Sequence, residues 1–387
     1  MTKEAASAGR RAAPRPAAPP RAAATPGSVG AQHFAQTYAE AREKFFAAAN
    51  LCGLGIETHL HPLRGRDGET LAMDVARAGP ADAKSLLVIS SACHGVEGFC
   101  GSGVQGALLA DDAWLEAAHA AGVAVLYIHA LNPYGFSWWR RTTNENVDLN
   151  RNFRDFTVAP VRNAGYDEIA TFVVPDAWPP DADAIAGLGR FVAERGAKAL
   201  IQAISGGQVH HPKGLFFGGT EPTWSHVTLR RVLREHGARC ERLAWIDLHT
   251  GLGPNGHGER IFAARDDPAT YARARAWWGD VTSIYDGSST SALLTGLMCS
   301  AAYDECAQAE YTGMALEYGT LPQTAVIDAL RADQWLENHP ATDEAMRREI
   351  KRQVRDAFYT DTDEWKEQIV AHAIDAAFGA VRGLSAA

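Results

Sequence analysis

Cysteine is scarce in this chain. Cys52, Cys93, Cys100, Cys240, Cys299 and Cys306 are the six in 387 residues, and none is spaced Cys-x-x-Cys. That excludes a disulfide framework and a structural zinc knuckle, and it points to a reducing, cytoplasmic compartment. Basic residues are outnumbered, 37 Lys and Arg against 46 Asp and Glu, for a formal charge of −9. A nucleic-acid or anionic-membrane binder needs the opposite balance, so neither partner is expected. No apolar run reaches the ~18 residues of a spanning helix. A Gly-x-Ser-x-Gly elbow is also missing, since Ser102 has Cys100 two positions before it. A serine hydrolase is therefore disfavoured.

What is present is ordinary globular composition, 46% hydrophobic and 21% charged, enough for a sizeable core. Residues 1–30 are Ala, Pro, Arg and Gly with almost no large apolar side chain. Arg10, Arg11, Arg15 and Arg21 resemble a signal n-region, but Pro14, Pro16, Pro19 and Pro20 prevent an apolar segment behind them. A disordered tail is expected there. Order is expected from near Ala31, where Phe34, Tyr38, Phe45 and Phe46 begin a helix-like pattern.

Beyond that point short apolar runs alternate with helix-like segments, the mark of an α/β protein. The runs Ser85–Ser91, Val123–Ala130, Ala199–Ile204, Leu243–Leu248 and Met314–Tyr318 read as strands, mostly covered on both faces. The stretch Gly101–Gly122 reads as a crossover helix. The last 65 or so residues read as helical: Thr320 and Gln323 fit a capping box around Pro322, and Met346, Ile350, Val354 and Phe358 form one stripe. The expected fold is α/β, with a mixed, largely parallel central sheet, helices on both faces and C-terminal helices. No repeat or second composition regime appears, so residues 31–387 read as one domain with an insertion around 155–240.

Three strand candidates end in groups that bind metal or move protons. One runs into Cys93-His94-Gly95-Val96-Glu97, one into Asp247-Leu248-His249-Thr250, and one into Glu317-Tyr318-Gly319. Ligands of open α/β sheets collect outside the carboxyl ends of strands. Two His and one Glu with an open fourth position suit a catalytic zinc. Cys93 beside His94 reads as a buried small residue, because adjacent strand residues face opposite ways.

A further stretch runs from Asn132-Pro133-Tyr134-Gly135 through Arg140-Arg141 to Val147-Asp148-Leu149-Asn150-Arg151-Asn152-Phe153. Here the sequence resembles the zinc carboxypeptidases, the funnelin-type metallopeptidases, most closely a bacterial branch of them. The match runs from about Leu86 to Gly319 and is carried by the motifs. The resemblance implies a zinc-carboxypeptidase-like catalytic domain with one Zn2+ per chain, held by His94, Glu97 and His249. It implies Glu317 as general base, Arg141 as stabiliser of the oxyanion, Asn150 and Arg151 as the clamp on a substrate carboxylate, and Asp148 behind a metal-bound His. Arg140 competes with Arg141, because alternation aims only one of the two into the site.

The interval from Arg151 to His249 is longer than in digestive-type members. It holds Ile204–Pro212 and Phe216–Thr220, which have no place in the usual pattern. His210 and His211 read as a solvated loop, and His257 and Glu259 as a rim. The expected partner is a peptide or small amide with a free carboxylate. The expected activity is zinc-dependent cleavage of the amide bond beside that carboxylate. An N-acyl amino acid deacylase is the alternative, and a non-catalytic binding module is disfavoured by the presence of all four metal and base candidates.

Overall fold

A computed structural model of the chain describes residues 30–386. The expected disordered tail falls, but for Gly30, outside the described residues. Among the described residues eight strands form one sheet: β1 (Ile56–Arg64), β2 (Thr70–Ala78), β3 (Ser85–Ser90), β4 (Val123–His129), β5 (Arg242–Asn255), β6 (Gly258–Phe262), β7 (Thr282–Ser283) and β8 (Glu310–Gly319). Their order is β1-β2-β4-β3-β5-β8-β6-β7. The centre, β4-β3-β5-β8, is parallel throughout, and antiparallel pairings flank it at β1-β2-β4 and β8-β6. The fold is thus α/β with a mixed sheet built around a parallel core.

Every residue of β3 and β4 is buried. Continuous burial on both faces is what helical cover of a parallel sheet produces. The last helix, Asp363–Ser385, supplies much of that cover by burying Trp365, Ile369, Ala373, Ala376, Ala377, Ala380 and Leu384. Polar caps start the helices where the sequence offers them. Thr37 accepts from the Glu40 amide at 3.1 Å, while Glu40 reaches back to the Gln36 amide at 2.8 Å. No described helix is long and apolar enough to cross a membrane.

Three expectations need correction. Ala199–Ile204 is helical, inside the helix Ala197–Ser205. Six apolar residues between Gly196 and Gly206 carry too little periodicity to separate strand from helix. The crossover after β3 is two helices, Gly98–Ala110 and Asp112–Ala120, broken at Asp111, whose side chain caps the second. Thr320 does not cap the helix Gln323–Asn338, which starts at Pro322 without a side-chain cap. Its hydroxyl instead donates to the Ala357 carbonyl at 2.7 Å. The stripe at Ile350, Val354 and Phe358 is buried as expected, on the helix Glu344–Phe358.

Candidate active site

The site is assembled where β3, β5 and β8 end. After Ser90 the chain turns through Ala92 and Gly95, both at positive φ. A Cβ on Gly95 would lie 2.2 Å from the Arg140 carbonyl oxygen and 2.5 Å from the Gly135 backbone, so only glycine fits. The Val96 amide donates to the same Arg140 carbonyl at 2.9 Å. This tight turn presents His94 and then Glu97, both buried, ahead of the helix Gly98–Ala110.

On β5, Asp247 and His249 share a face, as residues two apart in a strand must. His249 Nε2 lies 2.5 Å from Asp247 Oδ2, and Asp247 Oδ1 accepts from the Ser90 hydroxyl at 2.5 Å. His249 Nδ1 is 3.3 Å from Glu97 Oε2, and the His94 and His249 ring centres are 5.0 Å apart. Glu317 is the register partner of His249 across β5 and β8. Its Oε1 accepts from the Leu252 amide at 3.0 Å.

The charges at this edge are strongly biased. Burial, and next the Arg141 cation, hold the His94 imidazole well below its ordinary value, so it stays neutral. Burial opposes the charge on His249 too, but the Asp247 and Glu97 carboxylates prevail and raise it well above normal. Burial, and then the nearby Glu97, push Glu317 up to about 8. Burial opposes ionisation of Asp148 as well, yet the Arg141 and Arg151 cations hold it well below the usual carboxylate range.

The two neighbouring arginines have parted company. Arg141 donates to Asp148 Oδ2 and Glu97 Oε1, each at 2.9 Å, and lies 2.8 Å from His94 Nε2. Arg140 turns away to Asp333, at 3.2 Å, and to Asn146, at 3.0 Å, with Glu337 3.6 Å off. It does not line the cavity described below. The expected substrate contact by Arg140 is therefore replaced by a buried ion pair. Strand alternation was a poor guide here because Trp139 has positive φ and the chain from Arg140 to Asn146 is irregular.

Asn150 and Arg151 stand at the cavity wall. Asn150 Oδ1 accepts from the Met298 amide at 2.7 Å, which turns its NH2 group free of that bond. Arg151 donates to the Ser205 carbonyl, through Nε at 3.1 Å, and to the Asn150 carbonyl at 3.0 Å. These bonds engage part of its five-donor fork and fix its plane. The unplaced segment Ile204–Pro212 has its role here, supplying Ser205 and also Gly207, where a Cβ would come 2.8 Å from Arg151 Cδ. Phe216, from the second unplaced segment, lies beneath both guanidiniums, 5.1 Å from that of Arg141 and 5.4 Å from that of Arg151.

The remaining candidates lie elsewhere. His211 Nε2 pairs with Asp167 at 2.7 Å, and neither His210 nor His211 lines the cavity. His257 faces His372 across 5.9 Å. Glu259 accepts from the Thr282 hydroxyl at 2.5 Å and the Thr290 amide at 3.1 Å, anchoring the loop that leads to the cavity.

Asp247 and Cys93 stand closer to the candidate ligands than the sequence alone indicates. Asp247 orients His249; its signal was the Asp-x-His spacing on one strand face. Cys93 has its sulfur among the donor atoms of His94 and His249, all within 4.8 Å of one another. It is buried, as expected, although β3 ends at Ser90 and strand alternation does not extend to it. Its thiol is pushed well above normal, first by burial, so it makes a poor nucleophile.

These groups line a cavity of about 100 Å³ that opens to solvent, among them His94, Arg141, Asn150, Arg151, His249 and Glu317. The residues fit a metal ion. One imidazole is kept neutral, its buried Nδ1 makes no hydrogen bond and lies 3.4 Å from Asp148 Oδ1, and a second imidazole and the Glu97 carboxylate adjoin it.

Among solved structures the chain is similar to the carboxypeptidase A from Helicoverpa armigera, at 12% identity over 83% of this chain and 74% of that one, TM-score 0.39. It is similar to bovine thrombin-activatable fibrinolysis inhibitor in complex with tick carboxypeptidase inhibitor, at 10% identity over 90% and 97%, TM-score 0.49. It is also similar to a metallo-carboxypeptidase from Burkholderia cenocepacia, at 12% identity over 86% and 68%, TM-score 0.40. No curated protein matches the sequence. Residues 34–372 match the family described as "Protein of unknown function (DUF2817)", and the chain belongs to that family.

Proposed function

We propose that the chain is a metal-dependent hydrolase that cleaves an amide bond beside a free carboxylate. The observation that carries this reading is the convergence of His94, Glu97 and His249 with Glu317 at three adjacent strand ends, beside a cavity that His94, His249 and Glu317 line together with Arg141 and Arg151. His94, Glu97 and His249 would hold the metal, zinc by the chemistry of two imidazoles and a carboxylate. Cys93 is the competing third donor. When bound, the ion lowers the pKa of its water toward ~7 and polarises a carbonyl.

The chain's own groups do the rest. Glu317 has one oxygen fixed by the Leu252 amide; a cation held beside it would favour the ionised carboxylate, whose other oxygen would take a proton from the attacking water. The same carboxyl then delivers that proton to the leaving nitrogen. Arg141 spends three of its five N–H donors on Asp148, Glu97 and His94 and keeps two for the charge that builds on the carbonyl oxygen. Asp148, held ionised, keeps Arg141 in place. Asn150 and Arg151 grip the substrate carboxylate, a charge-assisted contact that fixes the scissile bond over Glu317.

The test is metal dependence of hydrolysis. Protein stripped with a chelator should not cleave N-acyl amino acids or peptides with free carboxyl ends, and one equivalent of zinc should restore cleavage. Full activity in the stripped protein would sink the reading.

A further inference from the structure

The cavity lining holds two unlike groups of residues. One is the polar pair Asn150 and Arg151, against which the segment Gly296–Met298 packs. A Cβ on Gly296 would come 2.3 Å from the Arg151 carbonyl oxygen, and the Met298 amide is bonded to Asn150. The other is an apolar wall of Leu252, Val326, Ile327, Leu330 and Phe358, with the polar Gln323 beside it on the same helix. A Cβ on Gly251 would lie 2.9 Å from the Phe358 ring and 3.6 Å from Val326, so this wall packs directly on the segment that follows His249.

That second wall is apolar and short of partners for a peptide backbone. Val326, Ile327 and Leu330 fall on one face of the helix Gln323–Asn338, with Gln323 at its first position. Beyond the first turn, helical amides are bonded within the helix. The strand amides nearest the wall are also taken, Thr250 by Glu97 at 3.0 Å and Leu252 by Glu317 at 3.0 Å. A peptide extending from the scissile bond brings a carbonyl every residue, and with these amides taken none of them is its donor. An alkyl chain brings no such carbonyl and gains from every methylene it buries.

Resting on the hydrolase reading above, we propose that the acyl side of the substrate is an alkyl chain: the substrate is an amino acid acylated by a medium-length apolar group, selected by Val326, Ile327, Leu330 and Phe358. Hydrolysis breaks the amide C–N bond, places the hydroxyl of water on the acyl carbon and its proton on the departing nitrogen. It yields a fatty acid and a free amino acid, and no other reactant is needed.

The experiment compares N-octanoyl-leucine, N-acetyl-leucine and the tripeptide alanyl-alanyl-leucine, which share one leaving residue, on zinc-loaded protein. The octanoyl compound should exceed both others in kcat/KM by at least about tenfold, as several buried methylenes allow. Leu330→Ser should lower the octanoyl-to-acetyl ratio by about tenfold at unchanged zinc content. In parallel, calorimetry should show N-octanoyl-leucine binding to Glu317→Gln protein more tightly than N-acetyl-leucine. A tripeptide cleaved as well as the octanoyl compound, or a ratio unmoved in Leu330→Ser, overturns the proposal and leaves the hydrolase reading standing. Absence of all hydrolysis with tight octanoyl binding retained would overturn the hydrolase reading and keep the apolar site. Equal binding of the octanoyl and acetyl compounds overturns the site itself.

Discussion

His249 on β5 and Glu317 on β8 face each other in register across the parallel ladder, so a metal-ligand candidate and a base candidate 68 positions apart in sequence become neighbours through strand pairing alone. Glu97, reaching His249 Nδ1 at 3.3 Å, ties β3 into the same group. The sheet centre is therefore the scaffold of the chemistry, and β3, β5 and β8 each contribute at the carboxyl end.

The ligand set can be separated by three substitutions. His249→Ala and Glu97→Gln should each reduce zinc content below half an equivalent, read by elemental analysis after dialysis. Cys93→Ser should keep a full equivalent, because Glu97 rather than Cys93 completes the proposed ligand set. Zinc lost from Cys93→Ser and kept in Glu97→Gln would exchange the two assignments.

Asp247 predicts a proton balance. With its imidazole raised well above the ordinary 6.5, chiefly against burial by Asp247 and Glu97, His249 is protonated in the metal-free protein at pH 7. Zinc must displace that proton, so uptake weakens as pH falls. Titration calorimetry in buffers of different ionisation enthalpy should detect the released proton. Asp247→Asn should weaken zinc by about 10- to 100-fold, the usual effect of losing a carboxylate behind a ligating His. Unchanged affinity and no buffer dependence would contradict this role.

Much of the site was legible because its motifs sit at the ends of strands that announce themselves. β3, β4, β5 and β8 are continuous apolar runs, and His94, Glu97, His249 and Glu317 follow or close them. β1 was not read, since Glu57, His59 and Pro62 interrupt it, and β2 carries the buried Asp74, which is paired with Arg42 at 2.6 Å. Arg140 was ambiguous because its partners, Asp333 and Glu337, lie on a helix nearly 200 positions away, which no local pattern reveals. The same holds for Ser205, Gly207 and Phe216, whose contact with Arg151 exists only after folding.

Glu317 gives a stability signature in the metal-free protein. Its ordinary value is 4.5 and its folded value about 8. Between these pH values the folded chain keeps a proton that the unfolded chain has lost, so stability falls as pH rises through the window and the penalty is complete above it. Glu317→Gln carries no such penalty. Thermal unfolding of chelated samples should show the variant gaining on wild type from pH 4.5 to pH 8, and a gap that does not change with pH would contradict the burial argument. With zinc restored, the same variant should lose at least about a hundredfold in turnover.

Arg140 and Arg151 should fail in different ways. Arg140→Ala leaves Asp333 with only Lys351, at 2.6 Å, in a buried setting and should cost about 3 kcal/mol in urea unfolding. Its preference among substrates should stay intact. Arg151→Lys should keep stability nearer wild type and lose grip on the substrate carboxylate, since an ammonium cannot reproduce the planar fork. A collapse of acid preference in Arg140→Ala would contradict the placement of the two arginines.

The most direct measurement of the central claim is a matched pair of substrates, one N-acyl amino acid as the free acid and the same compound as its carboxamide, assayed on zinc-loaded wild type. A bidentate charge-assisted contact in a buried wall is worth about 1.5–3 kcal/mol. The acid should therefore exceed the amide by at least about tenfold in kcat/KM, and Arg151→Lys should shrink that ratio. Equal rates on acid and amide would contradict the carboxylate clamp and with it the assignment of Asn150 and Arg151.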